Sequence, residues 1–215
     1  ERESTESSLT LLRDLKHRGL TFPRLTVADG HLGIWAAFGE MHPTGTEQRC
    51  WNHKIANVLN DLPKTVQRQA AERLKAMPYA EPQGECERRR DAFVRTYHKT
   101  DKKAVETLLR DGDRMVTFYA FPREHWRHLR TTTIVESPFS SVRLRTDASR
   151  RYKRVAGATA IIWKMLRVAE QAWRTLNVSE LLPLVASGMT FKEGIALKSG
   201  HERNHMDHRP ERTAA

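Results

Sequence analysis

Leu25-Thr26-Val27-Ala28-Asp29-Gly30-His31 is the stretch whose reading decides the fold. Its apolar run is short and carries β-branched residues, so it reads as a buried strand ending on an aspartate held at the strand's C-terminal edge. Upstream, Leu9, Leu12 and Leu15, with Leu11 beside them, recur at helical spacing, and Gly19 supplies a stop. Downstream, Leu32, Trp35, Ala36 and Gly39 mark one face of a second helix, with Gly39 permitting close packing or fraying. His42-Pro43-Thr44-Gly45 is a turn, and Thr46 to Cys50 reads as another short strand. Helix, strand, helix, strand over residues 7–50 signals an α/β sheet with parallel neighbours.

After Cys50 the character changes. From Trp51 to about Arg130 there is little β-branched clustering and a succession of helical patterns. Pro63 suits the first position of a helix over Lys64 to Met77, whose Val66, Ala70, Leu74 and Met77 share a face. Phe93, Val94 and Tyr97 mark another helix, and Ala104, Val105, Leu108 and Leu109 a third that stops at Asp111-Gly112. Met115, Phe118 and Tyr119 begin a fourth. An all-helical block between two parts of an α/β sheet reads as an insertion. The organisation expected is therefore 1–50 as the first part of an α/β core, 51–130 as a helical insertion, 131–189 as helices completing the core, and 190–215 as a polar tail. In the third part, Ser137-Pro138 suits an N-cap and first turn, and Ile161, Ile162, Met165, Ala169, Ala172, Trp173 and Leu176 trace a long amphipathic helix.

Composition narrows the partners. Lys plus Arg outnumber Asp plus Glu by 37 to 26 in 215 residues, a formal charge of +11. That balance favours a polyanion, nucleic acid before membrane, through phosphate neutralisation and counterion release. Cys50 and Cys86 are the only cysteines, so no disulfide framework is implied and a reducing cytoplasm is the expected compartment. The polar start Glu1-Arg2-Glu3-Ser4-Thr5-Glu6 lacks a signal-peptide core, and no apolar run nears the roughly 20 residues a membrane helix needs.

Several residues carry candidate chemistry, each beside a plainer reading. Asp29 and Glu136 have hard carboxylate oxygens suited to Mg²⁺ or Mn²⁺. Asp29-Gly30 also reads as a turn pair. Thr133-x-x-Glu136 also fits a capping box, although Pro138 would then fall inside the helix; with Ser137 as cap, Glu136 lies just outside the helix start. Cys50-x-x-His53 has metal-compatible spacing, but a structural zinc site needs four ligands and no second pair stands at suitable spacing. The alternative is a strand-end cysteine packing as a small hydrophobe, with His53 on the first turn of a helix. His201, His205 and His208 share helical spacing in a polar context that argues against a fixed metal site. From Glu136 to Arg174 nine basic residues oppose three acids, and Arg143, Arg145, Arg150, Arg151, Lys153 and Arg154 form the densest stretch. It is either a solvated helix face or a phosphate-tracking surface.

Taken in order, the Asp29-Gly30-His31 block, Arg49-Cys50-Trp51-Asn52-His53-Lys54, the helical block and Thr133-x-x-Glu136-Ser137-x-x-Ser140-x-Val142-Arg143-Leu144-Arg145-Thr146 resemble the catalytic region of Mutator-type bacterial insertion-sequence transposases. The resemblance runs from about Glu1 to about Phe191. It implies a ribonuclease-H-like core with an Asp-Asp-Glu triad, in which Asp29 and Glu136 are the second and third acids. It also implies Mg²⁺ or Mn²⁺ as cofactor and double-stranded DNA, at element ends and target, as partner. Gly30, His31, Cys50 and His53 become signature residues near the site.

The same resemblance implies a first acid on an upstream strand and a preceding DNA-binding region. Glu1, Glu3, Glu6 and Asp14 precede the Leu25 strand in polar or helical contexts, so the core is expected to be partial, with its first strands missing. The chain then reads as the C-terminal part of a transposase, expected to be inactive alone. The alternatives are a non-catalytic remnant that binds DNA or blocks full-length transposase by co-assembly, and a purely structural basic helical protein in which Asp29 and Glu136 never meet. The transposase reading also implies a homo-oligomer or co-assembly with full-length transposase.

Overall fold

The computed structural model describes residues 4–149, 151–173 and 175–197. Helices dominate, with two small two-stranded sheets. The first helix, α1 (Thr5–His17), opens on a reciprocal capping box in which the Ser4 and Ser7 hydroxyls each accept the other's backbone N–H at 3.1 Å. It closes on Gly19, whose positive φ lets the Gly19 and Leu20 amides return to the Lys16 and Leu15 carbonyls. Strand β1 (Leu25–Ala28) leads to α2 (Leu32–Met41), then β2 (Thr46–Arg49). β1 and β2 pair in parallel, with Leu25 opposite Thr46 and Ala28 opposite Arg49. The helix–strand alternation expected for this region is present.

Two details differ from expectation. β1 is half-buried rather than buried, because among the described residues it has a partner strand on one edge only. The inward face of α2 is Gly33, Ala37 and Met41, while Leu32, Ala36 and Gly39 turn outward; of the expected stripe only Trp35 is buried. Leu32 to Phe38 is apolar or glycine throughout, so no polar residue marks which side faces out. The close approach expected at Gly39 occurs at Gly33, where a Cβ would press on the Thr5 backbone at the α1 crossing. Leu9, Leu12 and Ala37, with Phe22, Phe38 and Met41 against them, form the small core between α1 and α2.

Residues 51–129 form helices joined by short turns, with no strand among them. They comprise α3 (Trp51–Asn60), α4 (Lys64–Ala76), α5 (Gln83–Tyr97), α6 (Lys102–Leu109), α7 (Gly112–Met115) and α8 (Trp126–Leu129), with 3-10 turns at Met77–Tyr79, Thr117–Ala120 and Arg123–His125. A single core runs through them, including Trp51, Leu74, Met77, Phe93, Leu108, Phe118, Tyr119 and Trp126. The helix expected to begin at Met115 is instead the single turn α7 followed by a 3-10 turn, after which Phe121-Pro122 breaks the pattern.

The last long elements are α9 (Thr133–Ala148) and α10 (Val155–Glu170), which pack on each other. α9 starts four residues before the expected Ser137 cap, so Glu136 lies in its first turn and Pro138 lies inside the helix. Only Val142 of α9 and no residue of α10 is buried. α10 stops at Glu170, so Trp173 and Leu176 fall outside it. Beyond the short helix α11 (Leu182–Ala186), the stretch expected to be a loose tail contains a hairpin of β3 (Phe191–Lys192) and β4 (Ile195–Ala196). Glu193 and Gly194 both have positive φ in its two-residue turn, and Phe191 is buried. His201, His205 and His208 lie outside the described residues.

Candidate active site

The parallel register determines what stands beside Asp29. Ala28 is the last residue of β1, and its carbonyl accepts the Cys50 N–H at 2.8 Å. Asp29 is the next residue, so it stands beside Cys50 at the C-terminal end of the strand pair. Its side chain is exposed, and Oδ1 accepts the His31 N–H at 3.0 Å, the turn role weighed for it from sequence. His31 caps α2 through Nδ1, which accepts the Gly33 N–H at 3.2 Å. Gly30 has φ +94, and a Cβ there would overlap the Arg49 guanidinium behind the turn. Both facts require glycine at this position.

Each residue of Cys50-Trp51-Asn52-His53 grips the segment that leads into α9. The buried Cys50 thiol accepts the Thr132 N–H at 3.3 Å and lies 3.3 Å from the Thr132 hydroxyl oxygen. The Trp51 N–H donates to the Arg130 carbonyl at 2.9 Å, and its indole N–H to the Met115 carbonyl at 2.9 Å. The Asn52 amide donates to the Thr133 hydroxyl at 2.9 Å. His53 Nδ1 lies 3.3 Å from the Cys50 sulfur, 3.4 Å from the Thr132 hydroxyl and 3.8 Å from Glu136 Oε1. Glu136 is half-exposed and also accepts from the Thr132 hydroxyl. Neither local reading of Glu136 holds: Thr132 precedes the helix, and the carboxylate bonds its hydroxyl rather than a backbone amide.

Asp29 and Glu136 thus flank one junction, the first beside Cys50 by register and the second tied to Cys50 and His53 through Thr132. Their hard oxygens suit a divalent cation in chemistry. In number they fall short, because among the described residues no group of three or more His, Cys, Asp or Glu side chains is arranged to hold a metal ion.

Beneath this junction lies a buried charge cluster that the sequence reading did not pick out. Lys54 Nζ donates to the Thr107 carbonyl at 2.7 Å and to Asp111 Oδ2 at 2.6 Å, and Arg49 Nε stands 3.5 Å from the same Asp111 oxygen. The Lys54 and Arg49 side chains are 2% and 4% exposed, so neither cation is solvated. Burial pushes the Lys54 ammonium below its ordinary value against the opposing pull of Asp111. Burial alone would raise Asp111, but Lys54, Arg49 and Arg114 together hold it below the usual carboxylate range. Gln48, fully buried, completes the link between strand and helices. Its amide donates to the Arg49 and Met115 carbonyls and its oxygen accepts the Phe118 N–H. One signal was available for Lys54: it lies on the Trp51, Lys54, Ile55, Val58 stripe that α3 buries.

The basic stretch is exposed. Arg143, Arg145, Arg151, Lys153 and Arg154 have no ion-pair partner among the described residues, while Arg150 lies outside them. They do not form one helix face. Arg143 and Arg145 are two residues apart on α9, about 200° around its axis, and the other three lie in the connection to α10. Among the described residues no helix is long and apolar enough to cross a membrane.

Comparison with known proteins supplies a second line of observation. The family profile described as "Transposase, Mutator family" matches residues 1–175. The chain is 42% identical over 195 residues to the transposase for insertion sequence element IST2 of Acidithiobacillus ferrooxidans, covering 90% of this chain and 66% of that protein. It is 41% identical over 197 residues to the transposase for IS6120 of Mycolicibacterium smegmatis, covering 92% and 61%. The transposase for IS1081 of Mycobacterium tuberculosis is 29% identical over 172 residues, covering 77% of this chain and 40% of that protein. The chain therefore spans about two thirds or less of the length of these relatives.

Proposed function

This chain belongs to the Mutator family of transposases, and from that premise we propose that it carries part of the catalytic core of an insertion-sequence transposase acting on DNA. In this reading Asp29 and Glu136 are two acids of an Asp-Asp-Glu set on a ribonuclease-H-like sheet. Residues 51–130 are a helical insertion, and Gly30, His31, Cys50 and His53 shape the ground around the acids. The observation that carries it is the Cys50 junction, where the Cys50 N–H bonds the Ala28 carbonyl just before Asp29 and the Cys50 thiol meets Thr132 at the start of the Glu136 helix, across the whole helical block. β1's edge, unpaired among the described residues, is where the sheet would continue.

Mg²⁺ or Mn²⁺ bound at such acids would activate a nucleophile and stabilise the leaving oxygen in strand cleavage and strand transfer. Asp29 and Glu136 would hold it, and His53 beside Glu136 would orient the carboxylate. Arg143, Arg145, Arg150, Arg151, Lys153 and Arg154 would track phosphates and set a salt-dependent, sequence-tolerant affinity. Because no group of three or more such side chains is arranged to hold a metal ion among the described residues, the chain alone binds DNA without cutting it in this reading. The test is nicking of a duplex bearing an element end with Mg²⁺ or Mn²⁺, comparing the chain with its Asp29→Ala and Glu136→Ala forms. Nicking that both substitutions abolish would refute the inactivity but keep the acids. Nicking that survives both would remove Asp29 and Glu136 from the reaction.

One observation favours co-assembly with a longer transposase or a second copy. Phe139, Ile161, Trp163 and Val168 stay exposed on α9 and α10, more apolar surface than a basic DNA-facing hairpin requires.

A further inference from the structure

Tyr79 stands apart from its neighbours. It closes the 3-10 turn Met77–Tyr79, and Met77, Pro78 and Ala80 around it are all buried. The turn is fixed by the Ala80 N–H to the Met77 carbonyl at 3.0 Å and by the Tyr119 hydroxyl donating to the Ala80 carbonyl. On this fixed backbone the Tyr79 side chain alone turns to solvent, leaving the residue 71% exposed. One face of its ring is covered by the Arg130 guanidinium, 4.7 Å from the ring centroid, and the same guanidinium lies 5.4 Å from the Phe118 centroid. Arg130 is itself 9% exposed, and its buried Nε has no hydrogen-bond partner. The cation is thus committed to its aromatic neighbours, and it holds the tyrosine ring flat with the opposite face open.

Position adds to the chemistry. The Arg130 carbonyl accepts the Trp51 N–H, and two residues later Thr132 bonds both Cys50 and Glu136. The platform is therefore built into the segment that carries the proposed acid. Lys75 and Arg127, each a few residues away in sequence, are exposed cations suited to phosphates. An open aromatic face backed by a guanidinium is what an unpaired nucleobase stacks on, since every base presents a π-face.

We propose that Tyr79, backed by Arg130, is a stacking platform for an unpaired nucleobase of the DNA. This rests on the reading of the chain as a DNA-binding transposase segment. It adds a base-contacting site separate from the phosphate-tracking basic stretch.

The experiment uses the full chain and two DNA duplexes of identical length and flanking sequence. One is fully paired, and the other carries a single bulged 2-aminopurine. The bulged duplex should bind more tightly by about 5- to 150-fold, the range corresponding to one base–aromatic stack, with its fluorescence quenched on binding. Tyr79→Ala should remove both the preference and the quenching while keeping the affinity for the paired duplex, and Tyr79→Phe should retain both. Tyr79→Phe keeps the ring over Arg130 and should melt at the parent's temperature, while Tyr79→Ala, which loses the cation–π contact, should melt a few degrees lower and stay folded at the assay temperature. Equal binding of the two duplexes, or a preference that survives Tyr79→Ala, overturns the platform and leaves the DNA reading intact. Failure to bind either duplex overturns both.

Discussion

Replacing Asp111 by alanine withdraws the carboxylate that Lys54 and Arg49 share and leaves both cations buried at the seam between β2 and the helices. Breaking a buried ion pair from one side costs about 3–5 kcal/mol, because the remaining charge has neither water nor a partner. Asp111 keeps 16% side-chain exposure, so some water can enter, and the lower end, about 3 kcal/mol, is expected. With a urea slope of about 2 kcal/mol per molar, the unfolding midpoint should fall by about 1.5 M. Lys54→Met removes one of the two cations and leaves Asp111 facing Arg49 as a neutral pair, so its shift should be less than half as large. Urea titration at pH 7, followed by far-ultraviolet circular dichroism and tryptophan fluorescence, measures both. A shift under about 0.3 M for Asp111→Ala, or a larger one for Lys54→Met, would refute the reasoning. The pH dependence has a definite sign. Asp111 titrates below its ordinary 3.8, so its contribution is complete above that pH and is lost as pH falls through the lower folded value. Lys54 is depressed as well, so its burial too is less unfavourable as pH rises toward its ordinary 10.5. The acid limb of the stability curve should be shallower in Asp111→Ala than in the parent.

Gly30→Ala should lower stability by about 1–3 kcal/mol from its positive φ alone, with a further cost from overlap with Arg49, read as a drop in melting temperature. Neutralising Arg143, Arg151 and Lys153 together should reduce the slope of log affinity for duplex DNA against log salt by about 0.9 for each phosphate no longer neutralised, with little sequence dependence. An unchanged slope would place the DNA surface elsewhere. Cys86 is buried and its thiol is pushed up to about 11 by that burial, and Cys50 is buried too. Iodoacetamide at pH 8 should therefore label neither cysteine in the folded chain and both in urea, as read by intact mass.

How much of this was legible depended on whether a side chain's partner lay nearby in sequence. The strand ending at Asp29 could be read because a short apolar run before Asp-Gly carries its own boundary. The face of Val66, Ala70 and Leu74 on α4, continued by Met77 just past its end, could be read because the rest of that helix is polar apart from Ala71 and Ala76. The α2 face could not, since nothing polar separated inside from outside. The start of α9 was misplaced by giving Pro138 a first-turn position; in the structure the helix accepts the proline internally, among residues that are mostly exposed. The docked β3–β4 hairpin was missed because its strands are two residues long, too short for any alternation, and its turn is Glu-Gly rather than a familiar hairpin pair.

The site divides along the same line. Asp29, Cys50, His53 and Glu136 were singled out as chemistry-bearing types, and the resemblance gave them an order. What joins Cys50, His53 and Glu136, the Thr132 amide and hydroxyl against the Cys50 sulfur, spans 82 residues and has no local signature. That linkage also changes what the Cys-x-x-His pair is. Spacing alone offered a zinc half-site or an inert packing residue. In the structure the thiol accepts the Thr132 N–H and touches the Thr132 hydroxyl that donates to Glu136, and the imidazole sits between thiol, hydroxyl and carboxylate. The pair works as a clasp. It secures the end of a long helical excursion to the edge of the sheet from which the excursion began, and it leaves the Glu136 carboxylate half-exposed at the end where Asp29 stands.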